Sequence, residues 1–128
     1  MFYLPCIFCE IENVIFENEL AKCFYDKFPV NQGHILIVPK RHCNDYFSLK
    51  SEEKHSIDEL IMRSKMLIDS IYRPEGYNIG VNCGEVAGQT IFHCHIHIIP
   101  RYRNDMDEPT GGVRGVIPHK RIYTQEVI

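Results

Sequence analysis

At 128 residues, with 45% hydrophobic and 24% charged side chains, the chain has the size and balance of one globular domain, residues 1–128, that can bury a core of its own. A net charge of -3 excludes binding of nucleic acid or a membrane through a broad basic surface, because such partners need many phosphates neutralised; a local phosphate site stays open. No run has the length of a membrane span, and the start, MFYLPCIFCEIEN, lacks the basic and apolar regions of a secretion signal, so a cytoplasmic protein is expected.

In a reducing compartment Cys23, Cys43, Cys83 and Cys94, scattered among apolar neighbours, read as small buried hydrophobes, which leaves Cys6 and Cys9 as a short-spaced pair. NELAKCFYD and GHILIVP then read as two strands separated by the turn-rich DKFPVNQG, an antiparallel pair with a loop free for function, and Pro39 ends the second. From Ser51 to Tyr72 the period changes. Ile57, Leu60, Ile61, Leu67, Ile68 and Ile71 recur at helical spacing behind a Ser51 cap and an acidic first turn, Glu52 and Glu53; Pro74 and Gly76 close this one long helix. YNIGVNCG and TIFHCHIHIIP follow as two more strands joined by GEVAG, and the turn-rich tail beyond Pro100 has no assignable element. The sum is an α+β domain, a mostly antiparallel sheet with one helix packed on it.

Alternation along TIFHCHIHIIP puts His93, His95 and His97 on one face and Cys94, Ile96 and Ile98 on the other. Three imidazoles about 7 Å apart on one face add nothing to stability, so they point to a metal site or to phosphoryl chemistry, in which imidazole attacks phosphorus or moves protons near neutral pH. GEVAGQT, immediately upstream, favours phosphorus: Gly84 and Gly88 permit close backbone approach, and Gln89 and Thr90 offer an amide and a hydroxyl.

HCHIHII resembles the His-φ-His-φ-His-φ-φ signature of the histidine triad (HIT) family of nucleotide hydrolases and transferases, and the resemblance extends through FYDKFPVNQGHILIVPKRH, NCGEVAGQT and GGVRGVIP. It implies a HIT-like fold, an antiparallel five-stranded sheet with one long helix and a short N-terminal helix, and a homodimer joined across the long helix and an edge strand. It implies hydrolysis of a purine nucleotide conjugate at the α-phosphorus, a dinucleoside polyphosphate such as diadenosine tetraphosphate or a nucleoside phosphoramidate. A nucleotidyl transferase, or a nucleotide-binding regulator with little turnover, is the alternative. By position His95 is the nucleophile that forms a nucleotidyl-histidine and His97 its neighbour at the phosphate, with His93 and Gln89 completing the catalytic set. Gly88, Gln89 and Thr90 match phosphate-side residues, Asp26 a ribose-binding acid, Asn82 a position near ribose and phosphate, and Phe8, Ile11 and Phe24 an apolar base pocket. Asn31 and Arg114 are candidates for a second phosphate or the leaving group, and His34 for orienting a triad imidazole.

CIFC at residues 6–9 can supply two thiolates to one tetrahedral zinc, but a lone C-x₂-C pair is half a site. His42 and His93 are the best candidates for the other two ligands, with His34 the alternative to His42. The resemblance to CxxC-containing triad proteins implies the same Cys6, Cys9, His42, His93 set around one structural zinc per chain.

Overall fold

The computed structural model describes residues 6–123. Five strands, β1 (Phe16–Glu17), β2 (Ala21–Tyr25), β3 (Ile35–Pro39), β4 (Gly76–Val81) and β5 (Ile96–Arg101), form one antiparallel sheet in the order β1-β2-β3-β5-β4. One long helix among the described residues, α1 (Ser51–Ile71), connects β3 to β4 across one face of the sheet. The expected α+β architecture is therefore present. The expected short N-terminal helix is not among the described residues: residues 7–10 form a turn, closed by Cys9 N–H donating to the Cys6 carbonyl.

Strand alternation sorts the core. Ala21, Cys23, Ile35, Ile37, Ile96 and Ile98 turn toward α1 and meet Ile57, Leu60 and Ile68, with Cys43 and Cys94 in the same cluster. Phe24, Leu36 and Val38 turn to the other face, where Phe8 covers them with its ring 5.4 Å from that of Phe24. Along α1 the buried stripe runs Glu53, Ile57, Leu60, Ser64, Ile68; Ser64, the small member, approaches Cys23 with its hydroxyl 3.7 Å from the sulfur. Ile71, expected in that stripe, is 54% exposed, as are Met62 and Met66 to similar or greater extent. The helix start also differs from expectation. Lys50 occupies the cap position and Ser51 is the first helical residue; the Glu53 carboxylate reaches back to accept from Lys50 N–H at 2.8 Å and pairs with Arg41 at 2.8 Å.

β5 begins at Ile96, six residues later than the alternating pattern suggests. Where the ladder to β3 would continue, the Pro39 carbonyl accepts instead from the His93 ring at 2.8 Å, and Cys94 N–H donates to the Cys43 carbonyl. Side chains of residues 93–95 nonetheless keep the strand's alternation, so the histidines stay on the face opposite α1.

Candidate active site and metal centre

His95 is 7% exposed at the floor of a cavity of about 560 Å³ on the open sheet face. Its Nδ1 lies 2.9 Å from the His93 carbonyl, which can only accept, so Nδ1 carries the proton and Nε2 holds the free lone pair. One backbone oxygen thus selects the tautomer a nitrogen nucleophile requires.

Hydrogen bonds fix the tautomers of its neighbours in the same way. Val30 N–H donates to His34 Nδ1 at 3.0 Å, so neutral His34 has its proton on Nε2, 2.9 Å from His97 Nδ1. His97 therefore accepts at Nδ1 and presents Nε2–H as a donor. Burial pushes the pKa of His34 down against the nearby Asp26 carboxylate, and burial, with His95 and His34 beside it, lowers that of His97 to about 4. Asp26, His34 and His97 are close enough to suggest a metal cage, but a proton fixed on His34 Nε2 makes them a hydrogen-bonded chain instead. Gly33 sets this chain in place: its φ of +89° turns the backbone before His34, and a Cβ there would meet the Tyr72 ring at 2.9 Å.

The cavity brings together most of the expected nucleotide residues: Phe8, Ile11, Phe24, Asp26, His34, Asn82, Gly88, Thr90, His95 and His97 all line it. Asp26 serves a turn as well, its Oδ1 accepting from Phe28 N–H at 2.8 Å, while Oδ2 lies 3.5 Å from His34 Nε2. Gln89 is placed differently from expectation. It is 3% exposed and lies outside the lining, its amide donating to the Asn44 and Ile91 carbonyls and accepting from Gly84 N–H, so it clamps the loop that carries Gly88 and Thr90. Asn31 is likewise spent on the Pro100 carbonyl and Asp105, and Arg114 on the Lys120 carbonyl with its guanidinium over the Tyr123 ring, so neither faces the histidines. The apolar lining from Val30, Leu36 and Ile91 is not among the residues singled out in sequence; for Leu36 a signal exists, since it stands two positions after His34 in the strand read from GHILIVP and so shares its face.

His93 faces away from the cavity chemistry. Its Nε2–H is spent on Pro39, leaving the Nδ1 lone pair 3.4 Å from both Cys6 and Cys9 sulfurs, and His42 Nδ1 lies 3.3 Å from Cys9. These four donor atoms lie within 4.8 Å of one another. For zinc bonds of about 2.3 Å to sulfur and about 2.05 Å to nitrogen, a tetrahedral sulfur–nitrogen edge is roughly 3.5 Å, so the donor set fits that ion. His34, the alternative third ligand, belongs to the His97 chain instead. Lys22, which sequence reasoning passed over, is 8% exposed beside the cluster and donates to the Cys9 carbonyl at 3.2 Å.

The buried neutral histidines make stability depend on acid. Below pH 6.5 an unfolded chain protonates its histidines, whereas folded His97 resists down to about 4, so stability is full above that window and falls as pH drops through it. Tm at pH 5 is expected roughly 5 °C or more below its value at pH 7, and His97→Asn should flatten the slope. An identical slope in that variant, followed by circular dichroism, would remove His97 from the effect.

Among known proteins, the HIT domain matches residues 10–104. An uncharacterised HIT-like protein of Mycoplasma genitalium is 39% identical over 103 residues, 76% of this chain and 73% of the relative. AP-4-A phosphorylase of Mycobacterium tuberculosis is 31% identical over 108 residues, 82% of this chain and 55% of that protein. A solved HIT family protein from Bacillus anthracis superposes with a TM-score of 0.73 at 37% identity, covering 77% of this chain and 74% of its own. A zinc-bound histidine triad family protein from Mycobacterium smegmatis does so at 0.71 and 30%, covering 78% and 77%.

Proposed function

This chain belongs to the HIT family, and we propose that it hydrolyses a purine nucleoside phosphate conjugate at the α-phosphorus through a nucleotidyl-His95 intermediate, releasing the nucleoside monophosphate. The observation that carries this reading is the His95 ring, whose Nδ1–H is held by the His93 carbonyl so that Nε2 is left as the nucleophilic atom.

In the proposed reaction the base lies against the apolar wall that Phe8, Ile11 and Phe24 share, and the ribose hydroxyls donate to Asp26, which seats the α-phosphate over the histidines. His95 Nε2 bonds to phosphorus as the leaving group departs with the electron pair of the broken bond. His97 Nε2–H donates to a phosphate oxygen as charge builds there, and the His34 contact keeps His97 in that tautomer. Water then attacks the nucleotidyl-histidine and frees His95. The proton this water gives up replaces the one taken up by the leaving group, so the sum is hydrolysis.

Cys6, Cys9, His42 and His93 hold one structural zinc in this reading, supported by the fit of their spacing to a tetrahedral site and by the zinc-bound mycobacterial relative. The ion would tie residues 6–9, and with them Phe8, to the histidine segment. Homodimerisation in the cytoplasm completes the proposal. Supporting a dimer, Met62, Met66 and Ile71 on α1 and Ile79 on edge strand β4 are exposed, and an apolar depression of about 580 Å³ lies between helix and strand.

A panel of adenosine 5′-phosphoramidate and diadenosine tri- and tetraphosphate, with and without added phosphate, tests the reaction. AMP release independent of phosphate is expected. A strict phosphate requirement, yielding ADP, would transfer the chain to the phosphorylases, and AMP binding without any turnover would make it a binding protein.

A further inference from the structure

Residues 6–9 hold their two sulfurs in a geometry that suits a disulfide as well as a metal site. Cys9 N–H donates to the Cys6 carbonyl at 3.1 Å. A turn closed in this way keeps its end Cα atoms within about 7 Å, and a disulfide bridges Cα atoms about 4.4–6.8 Å apart. Both sulfurs lie 3.4 Å from one atom, His93 Nδ1, and within 4.8 Å of each other. Joining them asks for side-chain rotation and not for a new backbone path.

Exposure separates this pair from the other cysteines. Of the six in the chain, all among the described residues, Cys9 is the exposed one and Cys6 is half-buried beside it; Cys23, Cys43 and Cys94 are buried, and Cys83 is half-buried. Metal ligation holds both members of the pair as thiolates, the form that reacts with an oxidant. Phe8, which stands between them in the chain, is 5% exposed and lines the cavity, its ring 5.4 Å from that of Phe24 and 5.0 Å from that of His95. The state of the two sulfurs therefore reaches the cavity through one residue.

We propose that Cys6 and Cys9 are a peroxide-responsive switch: oxidation joins them in a disulfide, frees the zinc and weakens nucleotide binding in the cavity. The switch rests on the zinc reading above. The Cys9 thiolate bonds to one oxygen of hydrogen peroxide, the O–O bond breaks, and hydroxide leaves with its electron pair, giving a sulfenic acid. The Cys6 thiolate then bonds to the Cys9 sulfur, and a second hydroxide leaves with the electron pair of the S–O bond. Each sulfur is oxidised by one electron, the peroxide oxygens are reduced, and two protons from solvent turn the hydroxides into water. A disulfide is a neutral, poor ligand, so His42 and His93 remain as the two donors of the set, too few for a closed tetrahedral site. With the tether from the sulfurs to His93 gone, Phe8 loses its place against Phe24, and a thiol reductant with zinc reverses the change.

The test uses the full chain purified without chelator, its zinc content measured first. Hydrogen peroxide is then added, zinc release is followed with a colorimetric zinc indicator, the cysteine peptides are mapped by mass spectrometry, and AMP affinity is measured before and after. The expected result is one zinc released per chain, a peptide holding Cys6 and Cys9 that is lighter by two hydrogen atoms, and AMP affinity about tenfold weaker, all restored by dithiothreitol and zinc. Cys83→Ser, which removes the other accessible thiol, is expected to respond as the wild type does. Zinc retained while Cys83 is oxidised, zinc release that depends on Cys83, release without a Cys6–Cys9 disulfide, or unchanged AMP affinity once that disulfide has formed would each overturn the switch and leave the zinc reading intact. Protein that purifies without zinc would overturn the zinc reading, and reduced protein that binds no AMP would overturn the nucleotide reading; either result takes the switch with it.

Discussion

His95→Ala is expected to lower kcat/KM for AMP release by about 10³-fold or more, with AMP affinity changed only a few-fold. The asymmetry follows from where His95 sits. Its ring lies at the floor of the cavity, 5.0 Å from the Phe8 ring, whereas in the proposed complex base, ribose and phosphate meet Phe8, Phe24, Asp26, Thr90 and His97 independently of it. Losing the ring therefore removes a bond that forms only during reaction and leaves most of the ground-state contacts in place. His95→Asn serves as a companion, since it fills part of the buried volume and keeps a donor for the His93 carbonyl, yet cannot attack phosphorus. A folded His95→Ala or His95→Asn protein that turns over within tenfold of wild type would mean that phosphorus is attacked by water directly.

Loss of the proposed zinc is expected to have the second large effect. Cys6→Ser with Cys9→Ser, or prolonged chelation, is expected to lower Tm by roughly 10–20 °C and to raise KM more than it lowers kcat. The chain of causes starts at the cluster. Without the ion, two thiols and two imidazoles remain at 3.3–3.4 Å with only weak hydrogen bonds between them, and the turn at residues 7–10 loses its tether to His93. Phe8, 5% exposed, then leaves Phe24, Leu36 and Val38, and the base wall of the cavity goes with it. His95 and His97 keep their own hydrogen bonds to His93 and His34, so the reacting groups suffer less than the binding wall. Protein purified without chelator that carries no stoichiometric zinc, and whose double serine variant melts at the wild-type temperature, would leave the four residues as an ordinary buried cluster.

Alternation and spacing made much of this legible in advance. Residues 93–98 have their histidines on the open face and Cys94, Ile96 and Ile98 in the core, as period two requires, and Cys6, Cys9, His42 and His93 do converge although 87 positions separate the ends of that set. Propensity misled where a side chain took over a backbone's partner. His93 occupies the Pro39 carbonyl, so β5 starts late; Glu53 satisfies the Lys50 N–H, so the helix starts on Ser51 instead of being capped by it. The chemistry of Gln89 suits phosphate and the resemblance makes Arg114 a candidate for a second phosphate or the leaving group, but each side chain donates to nearby carbonyls, a choice set by loop geometry that residue type does not encode. The tail was unreadable for a related reason. Its two 3-10 turns, Gly112–Val116 and Pro118–Lys120, are held by arginine contacts to carbonyls, with no periodic apolar face to announce them.

A covalent bond between His95 and the α-phosphorus is the centre of the proposed reaction, and rapid-quench intact mass spectrometry during turnover of an adenosine 5′-phosphoramidate reads it directly. The expected result is a transient species heavier by one adenylyl group, localised to the peptide containing His95 and absent from His95→Ala. Steady AMP release with no such species at any quench time, or an adduct that persists in His95→Ala, would contradict it.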